Sequence, residues 1–175
     1  MGSEKGIEAV CKGNATLYEW SGSPVVYKTT DEWDKIREVS KAYFSEKAAV
    51  YHYYGTANNT YHDYLQGETV RYKKYFYALR PLLAAEYIGQ YHEAPPVLFD
   101  ELLKQDIEPS LRAAIGRLLE IKKVTNEKEM NPQIPEIIEY IKAGIVKQKD
   151  IADLLPDDHN KDREELNRIF REVIS

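Results

Sequence analysis

From residue 31 onward the apolar side chains recur with a period close to 3.6, and glycine, proline or a polar cluster interrupts each periodic stretch before the next begins. A chain patterned this way buries its apolar atoms along helical stripes, and stripes of this kind pack against one another. After Asp31, a capping residue, Trp33, Ile36, Val39, Ala42 and Tyr43 hold the helical spacing. A second helix is expected over about 45–64 and a third over about 68–91, separated at Gly67. Pro81 lies inside the third, where it should kink the helix or free one carbonyl. Ala94-Pro95-Pro96 ends that stretch, and 97–103 reads as a short helix. Leu111, Ala114, Ile115, Leu118 and Leu119 predict a helix over 108–124 with its cap near Asp106. Two more are expected over 135–146 and 162–173, with a single helical turn at 150–155 between them.

Before residue 31 the pattern is different. Ile7, Val10 and Cys11 suit the last turns of a helix that stops at Gly13. Leu17 to Trp20 and Val25 to Tyr27 flank Ser21-Gly22-Ser23-Pro24 and read as two short extended pieces around a turn. Met1-Gly2-Ser3 reads as a cloning remnant. The fold expected is mainly α, a bundle of about six helices spanning 31–175 with a short, non-helical N-terminal flap.

Composition removes several classes of function. Hydrophobic residues are 43% and charged residues 30%, a folded-protein balance. The longest apolar runs, such as Leu82-Leu83-Ala84-Ala85, fall far short of the roughly 20 residues that cross a bilayer. Cys11 is the single cysteine, so no internal disulfide can form, and a cytoplasmic, reducing setting is the expectation. His52, His62, His92 and His159 are too dispersed to suggest a zinc site, and no glycine-rich phosphate loop or Gly-x-Ser-x-Gly elbow is present. A net charge of −5 argues against a wholesale grip on nucleic acid but leaves room for a local basic face. The acidic run Asp157-Asp158-His159-Asn160 reads as a solvated connection that caps the last helix.

Eleven of the fourteen tyrosines fall between Tyr43 and Tyr91. A ring with a polar tip suits a site that stacks a base while hydrogen-bonding it, although most such rings serve cores whose hydroxyls reach solvent. Within the third helix Lys73, Tyr77 and Arg80 stand at i, i+4 and i+7 on one stripe, with Lys74 about 100° away. Arginine grips phosphate as a bidentate fork and lysine as a point charge, so the stripe is a candidate phosphate site. The plainer alternative is a solvated helix face. On the second helix His52 and Tyr61, nine residues apart, are taken as supporting contacts on one face.

Lys12-Gly13-Asn14, Glu19-Trp20, Ser23-Pro24-Val25-Val26-Tyr27, Tyr51-His52-Tyr53, Gly67 and the stretch from Lys73 to Ala84 form an ordered series. The series resembles the predicted nucleotidyltransferases of the DNA-polymerase-β superfamily that are associated with bacterial RNA repair. In that family Lys-Gly-Asn-Pro leads to Glu-Trp and Ser-Pro-x-x-Tyr, and a helical region carries Lys-Lys-Tyr-x-Tyr-x-Leu-Arg-Pro-Leu-Leu. Here Ala15 stands for the usual proline. The resemblance spans about residues 7–104.

Family members also carry a Gly-Ser turn, an Asp-x-Asp pair and a third carboxylate that hold two metal ions. This sequence has no such constellation, and Gly2-Ser3 is not followed by Asp-x-Asp. The resemblance therefore implies the C-terminal part of such an enzyme, with 4–30 a remnant of the palm or linker, and a chain inactive by itself. Mg²⁺ and a nucleoside triphosphate are implied for the whole enzyme and no cofactor for this chain. Its expected partners are its own missing catalytic domain and a nucleotide or RNA, with no membrane; a homodimer stays open. Two rival readings are an interaction or dimerisation module and a helical ribonuclease of the toxin type. The latter needs an Arg followed four to six residues later by His, and Arg80 to His92 is twelve apart.

Overall fold

The computed structural model describes residues 3–124, 126, 128–160 and 162–174. Among them are nine α-helices, one short 3-10 helix and two two-residue strands, so the chain is mainly helical. The helices are α1 Ser3–Cys11, α2 Ala15–Ser21, α3 Asp31–Ser40, α4 Glu46–Tyr64, α5 Lys73–Tyr91, α6 Phe99–Leu102, α7 Pro109–Val124, α8 Pro135–Leu154 and α9 Glu164–Ile174.

The centre of the molecule is α4, α5 and α8. Tyr53 and Ala57 of α4, Tyr75, Leu79, Leu82, Leu83 and Ile88 of α5, and Ile137 and Ile141 of α8 are all at most 2% exposed and share one core. α4 runs antiparallel to α5, since Glu46 at its start meets His92 just beyond the end of α5. It is antiparallel to α8 as well: Gln133 beside the start of α8 donates to the carbonyls of Leu65 and Gly67. At the other end Lys47 donates to the Leu155 carbonyl. α8 passes so close to α5 that a Cβ on Gly144 would lie 3.0 Å from a methyl of Leu82. Pro81 sits fully inside this core, within α5. α7 closes the core with Leu111, Ala114, Ile115 and Leu118.

A second, smaller core joins the chain's beginning to its end. Val10 and Cys11 of α1, Tyr43, and Leu166 of α9 are buried together, with Val39 of α3 packed against them. Gly13 has φ +59, and a Cβ there would meet the Ser45 Cβ at 2.7 Å. Glycine is required at this place for both reasons.

Several boundaries differ from the pattern-based expectation. Residues 15–21 are helix rather than an extended piece: the Asn14 side chain accepts from the Thr16 and Leu17 amides and starts α2 at once. The non-helical part of the N-terminal region is therefore reduced to 12–14 and 22–30. Thr30 rather than Asp31 caps α3, accepting from the Trp33 amide. The third helix begins at Lys73, because Thr69–Val70, which we call β1, pairs antiparallel with Asn131–Pro132, β2. At α7 the carboxylate of Glu108, not Asp106, accepts from the Leu111 amide. The two pieces expected at 135–146 and 150–155 are one helix, since Gln148 and Ala152 turn inward and carry the buried stripe through. Asp158 caps α4 rather than the last helix, accepting from the Ser45 hydroxyl and the Glu46 amide, both at 2.6 Å. Asp162 accepts from the Glu164 amide and starts α9.

Candidate functional site

α5 begins where β1 releases the chain, and its first two residues are the cations of the expected stripe. Nζ of Lys74 lies 3.5 Å from the centroid of the Tyr64 ring, in the last turn of α4, and 5.1 Å from that of Tyr77. Lys73 is 6.0 Å from the Tyr77 ring. Tyr64 and Tyr77 are 49% and 46% exposed, so each ring keeps a face toward solvent beside an ammonium group. The hydroxyl of Thr60 reaches the Tyr77 carbonyl at 3.5 Å, joining the two helices under this patch. The ammonium and the two rings present charge and a stacking surface at one point.

Arg80 shares the stripe in sequence but does a different job. Its Nη1 donates to Glu19 Oε1 at 2.8 Å and its Nε to the Val97 carbonyl at 3.2 Å. The Tyr53 hydroxyl donates to the same Glu19 oxygen at 3.0 Å. Burial and the Glu19 carboxylate push the Tyr53 phenol well above its usual range. About a quarter of the Arg80 side chain is exposed, and its fork is committed to α2 and to the 97 loop. The helical spacing placed Arg80 correctly on α5; the elements that pack there, α2 and the loop before α6, decide what it binds.

His52 and Tyr61 do not share a face. Nine residues on a helix of 3.6 per turn is two and a half turns, which sets the two on opposite sides. His52 is exposed, with its ring edge-on to Tyr53 at 5.2 Å, while Tyr61 packs against the main core. Of the six sequence candidates, Lys73, Lys74 and Tyr77 come together; Arg80, His52 and Tyr61 lie elsewhere. Tyr64 completes the patch. Its only sequence signal is its place in the tyrosine-rich stretch, since the contact with Lys74 is made across the β1 turn.

Among the described residues no group of three or more His, Cys, Asp or Glu is arranged to hold a metal ion. The donor set among the described residues does not fit a pair of Mg²⁺ ions. No helix of the described residues is long and apolar enough to cross a membrane.

The chain is 35% identical over 167 residues to YcgL, an uncharacterized protein of Bacillus subtilis (strain 168), a match that covers 93% of this chain and 64% of the relative. No solved structure matches. The family model described as the RNA repair pathway DNA polymerase beta family, RlaP, matches residues 4–172. The pattern thus extends well beyond 7–104 to take in α7, α8 and α9, and a match of this extent does not mark the chain as a C-terminal part. With nearly its whole length matched, the chain belongs to the RNA repair pathway DNA polymerase beta family.

Proposed function

We propose that this chain is a helical, nucleotide- or RNA-contacting portion of a polymerase-β-type nucleotidyltransferase, with the metal-binding carboxylates supplied by polypeptide outside it. The observation that carries the reading is the Lys74 ammonium set between the half-exposed rings of Tyr64 and Tyr77. In this reading Lys73 and Lys74 meet phosphates, and the two rings stack bases or a nucleotide. Family membership supplies the context, RNA repair. The 64% coverage of YcgL leaves length in that relative for a catalytic portion.

The test is a fluorescence-anisotropy titration of short single-stranded RNA and of a nucleoside triphosphate against the chain and its variants. Affinity should fall as salt rises, because phosphate contacts release counterions. Tyr77→Ala should weaken RNA binding by roughly 1–3 kcal/mol, the scale of one lost stacking contact. Lys74→Ala should weaken it and flatten the salt dependence. Binding that is absent from the wild type, or indifferent to both variants, overturns the reading.

A further inference from the structure

The Glu-Trp and Ser-Pro-x-x-Tyr segments and the first turn of α3 form an outward-facing apolar surface that the reading above does not use. Trp20 is 69% exposed, Val25 62%, Val26 64%, Tyr27 97% and Trp33 37%. They line a groove of about 540 Å³ together with Arg37. Soluble chains seldom gather so many large apolar side chains at one exposed place without a partner, and Trp and Tyr are the residues that carry most interface energy. The Trp20 end of the surface is anchored on α2. Glu19, next to Trp20, is held by Arg80 and Tyr53, and α2 is closed by the Gly22 amide donating to the Tyr18 carbonyl.

Charge excludes a polyanion as the occupant. Arg37 pairs with Asp34 at 3.2 Å, and the first turn of α3 adds Asp31 and Glu32, so the cations Lys28 and Arg37 are offset by carboxylates. A face that is apolar at its centre and balanced at its rim suits folded protein. YcgL has further polypeptide: 64% of its length matches this chain, and the rest lies outside the match.

We propose that the surface formed by Trp20, Val25, Val26, Tyr27 and Trp33 is the seat of the polypeptide that makes up the remainder of the longer family protein. This rests on the reading that the catalytic carboxylates lie outside the chain, and it names the surface that would hold them in place. Seated there, the catalytic portion would be coupled to the nucleotide-contacting helices through Glu19, Arg80 and α5, because Trp20 and Glu19 are neighbours on α2.

The experiment uses full-length YcgL and this chain, each carrying the photo-crosslinking residue p-benzoylphenylalanine at Tyr27 or at the YcgL residue aligned with it. Tyr27 is 97% exposed, so the replacement leaves the fold of this chain intact. The result expected is an intramolecular cross-link in YcgL to peptides outside the matched length, and unlinked monomer for this chain alone. Covalent dimers from both proteins would assign the face to a second copy and overturn the proposal. A YcgL probe that joins only matched-region peptides, or nothing, overturns it as well. Nucleotide titration of the same two proteins reads the Lys74 and Tyr77 patch independently. Loss of that binding with the cross-link retained counts against the proposed function and not against the seat.

Discussion

Arg80 and Glu19 are tied by a 2.8 Å ion pair between residues 61 apart in sequence, and the same Glu19 oxygen accepts from Tyr53. One carboxylate therefore fastens α2 to α4 and to α5. Arg80→Ala removes one partner of a partly buried carboxylate and frees the Val97 carbonyl, and should cost about 1.5–3 kcal/mol, the range for hydrogen bonds to charged groups. Arg80→Lys cannot make both contacts and should recover only part. Chemical denaturation gives these values, and RNA titration of the folded variants should show little change. An Arg80→Ala protein of wild-type stability with weakened RNA binding would put the guanidinium on phosphate instead.

Clean chain incubated with labelled nucleoside triphosphate, RNA and Mg²⁺ should yield no transfer product. The described residues hold no carboxylate group suited to two metal ions. Metal-dependent incorporation that survives further purification would contradict this, and would place the catalytic carboxylates within the chain.

Alkali should unfold the protein through its tyrosines. Burial pushes the Tyr75 phenol up to about 12, from an ordinary 10.0. Tyr87 is pushed to about 12 as well, first by its hydrogen bond to Glu93 and then by burial. Tyr18, Tyr53 and Tyr140 are raised further, chiefly by burial. Each folded-state value lies above the unfolded one, so the unfolded chain sheds protons first and stability falls as pH rises. The contribution is full below pH 10 and declines between about 10 and 12 and beyond. Absorbance at 295 nm should show the exposed phenols titrating first and the buried group appearing together with loss of helical circular dichroism. A smooth titration of all the phenols before unfolding would refute the assignment.

Two glycines should respond very differently to a methyl group. Gly13→Ala combines a positive φ with a 2.7 Å approach to Ser45, and should destabilise by about 1–3 kcal/mol. Gly55, with nothing within 4 Å of the added carbon, should gain up to about 1 kcal/mol from better helix propensity on the same change. Thermal melts of the pair provide the comparison. Equal shifts would mean that the packing of Gly13 on the start of α4 contributes nothing.

The long helices were readable from sequence because their buried stripes hold a strict period: Tyr53 and Ala57 in α4, or Ile137, Ile141 and Gly144 in α8. α2 was not. Leu17-Tyr18-Glu19-Trp20 mixes aromatic and polar residues as a strand does, and the helix stop at Gly13 is followed at once by Asn14, which starts the next helix. The β1 and β2 pair is set by contacts between distant residues, Thr69 against Pro132 and Val70 against Asn131, which no local pattern announces. At the candidate site, spacing located Lys73, Lys74 and Tyr77. The roles of Arg80 and Tyr64 depend on partners in α2 and α5 respectively that only the folded chain brings near.

Asp158 completes the first turn of α4 from 112 residues away, accepting from the Glu46 amide while it holds the Ser45 hydroxyl. During vectorial synthesis the chain thus makes its central helix long before it makes that helix's second cap. Until the ribosome has added Asp158, Ser45 alone guards the exposed end, its hydroxyl oxygen accepting from the Ala48 amide at 3.0 Å. A chain released before residue 158 lacks that second cap, and should be more open to proteolysis at the start of α4 than the full chain.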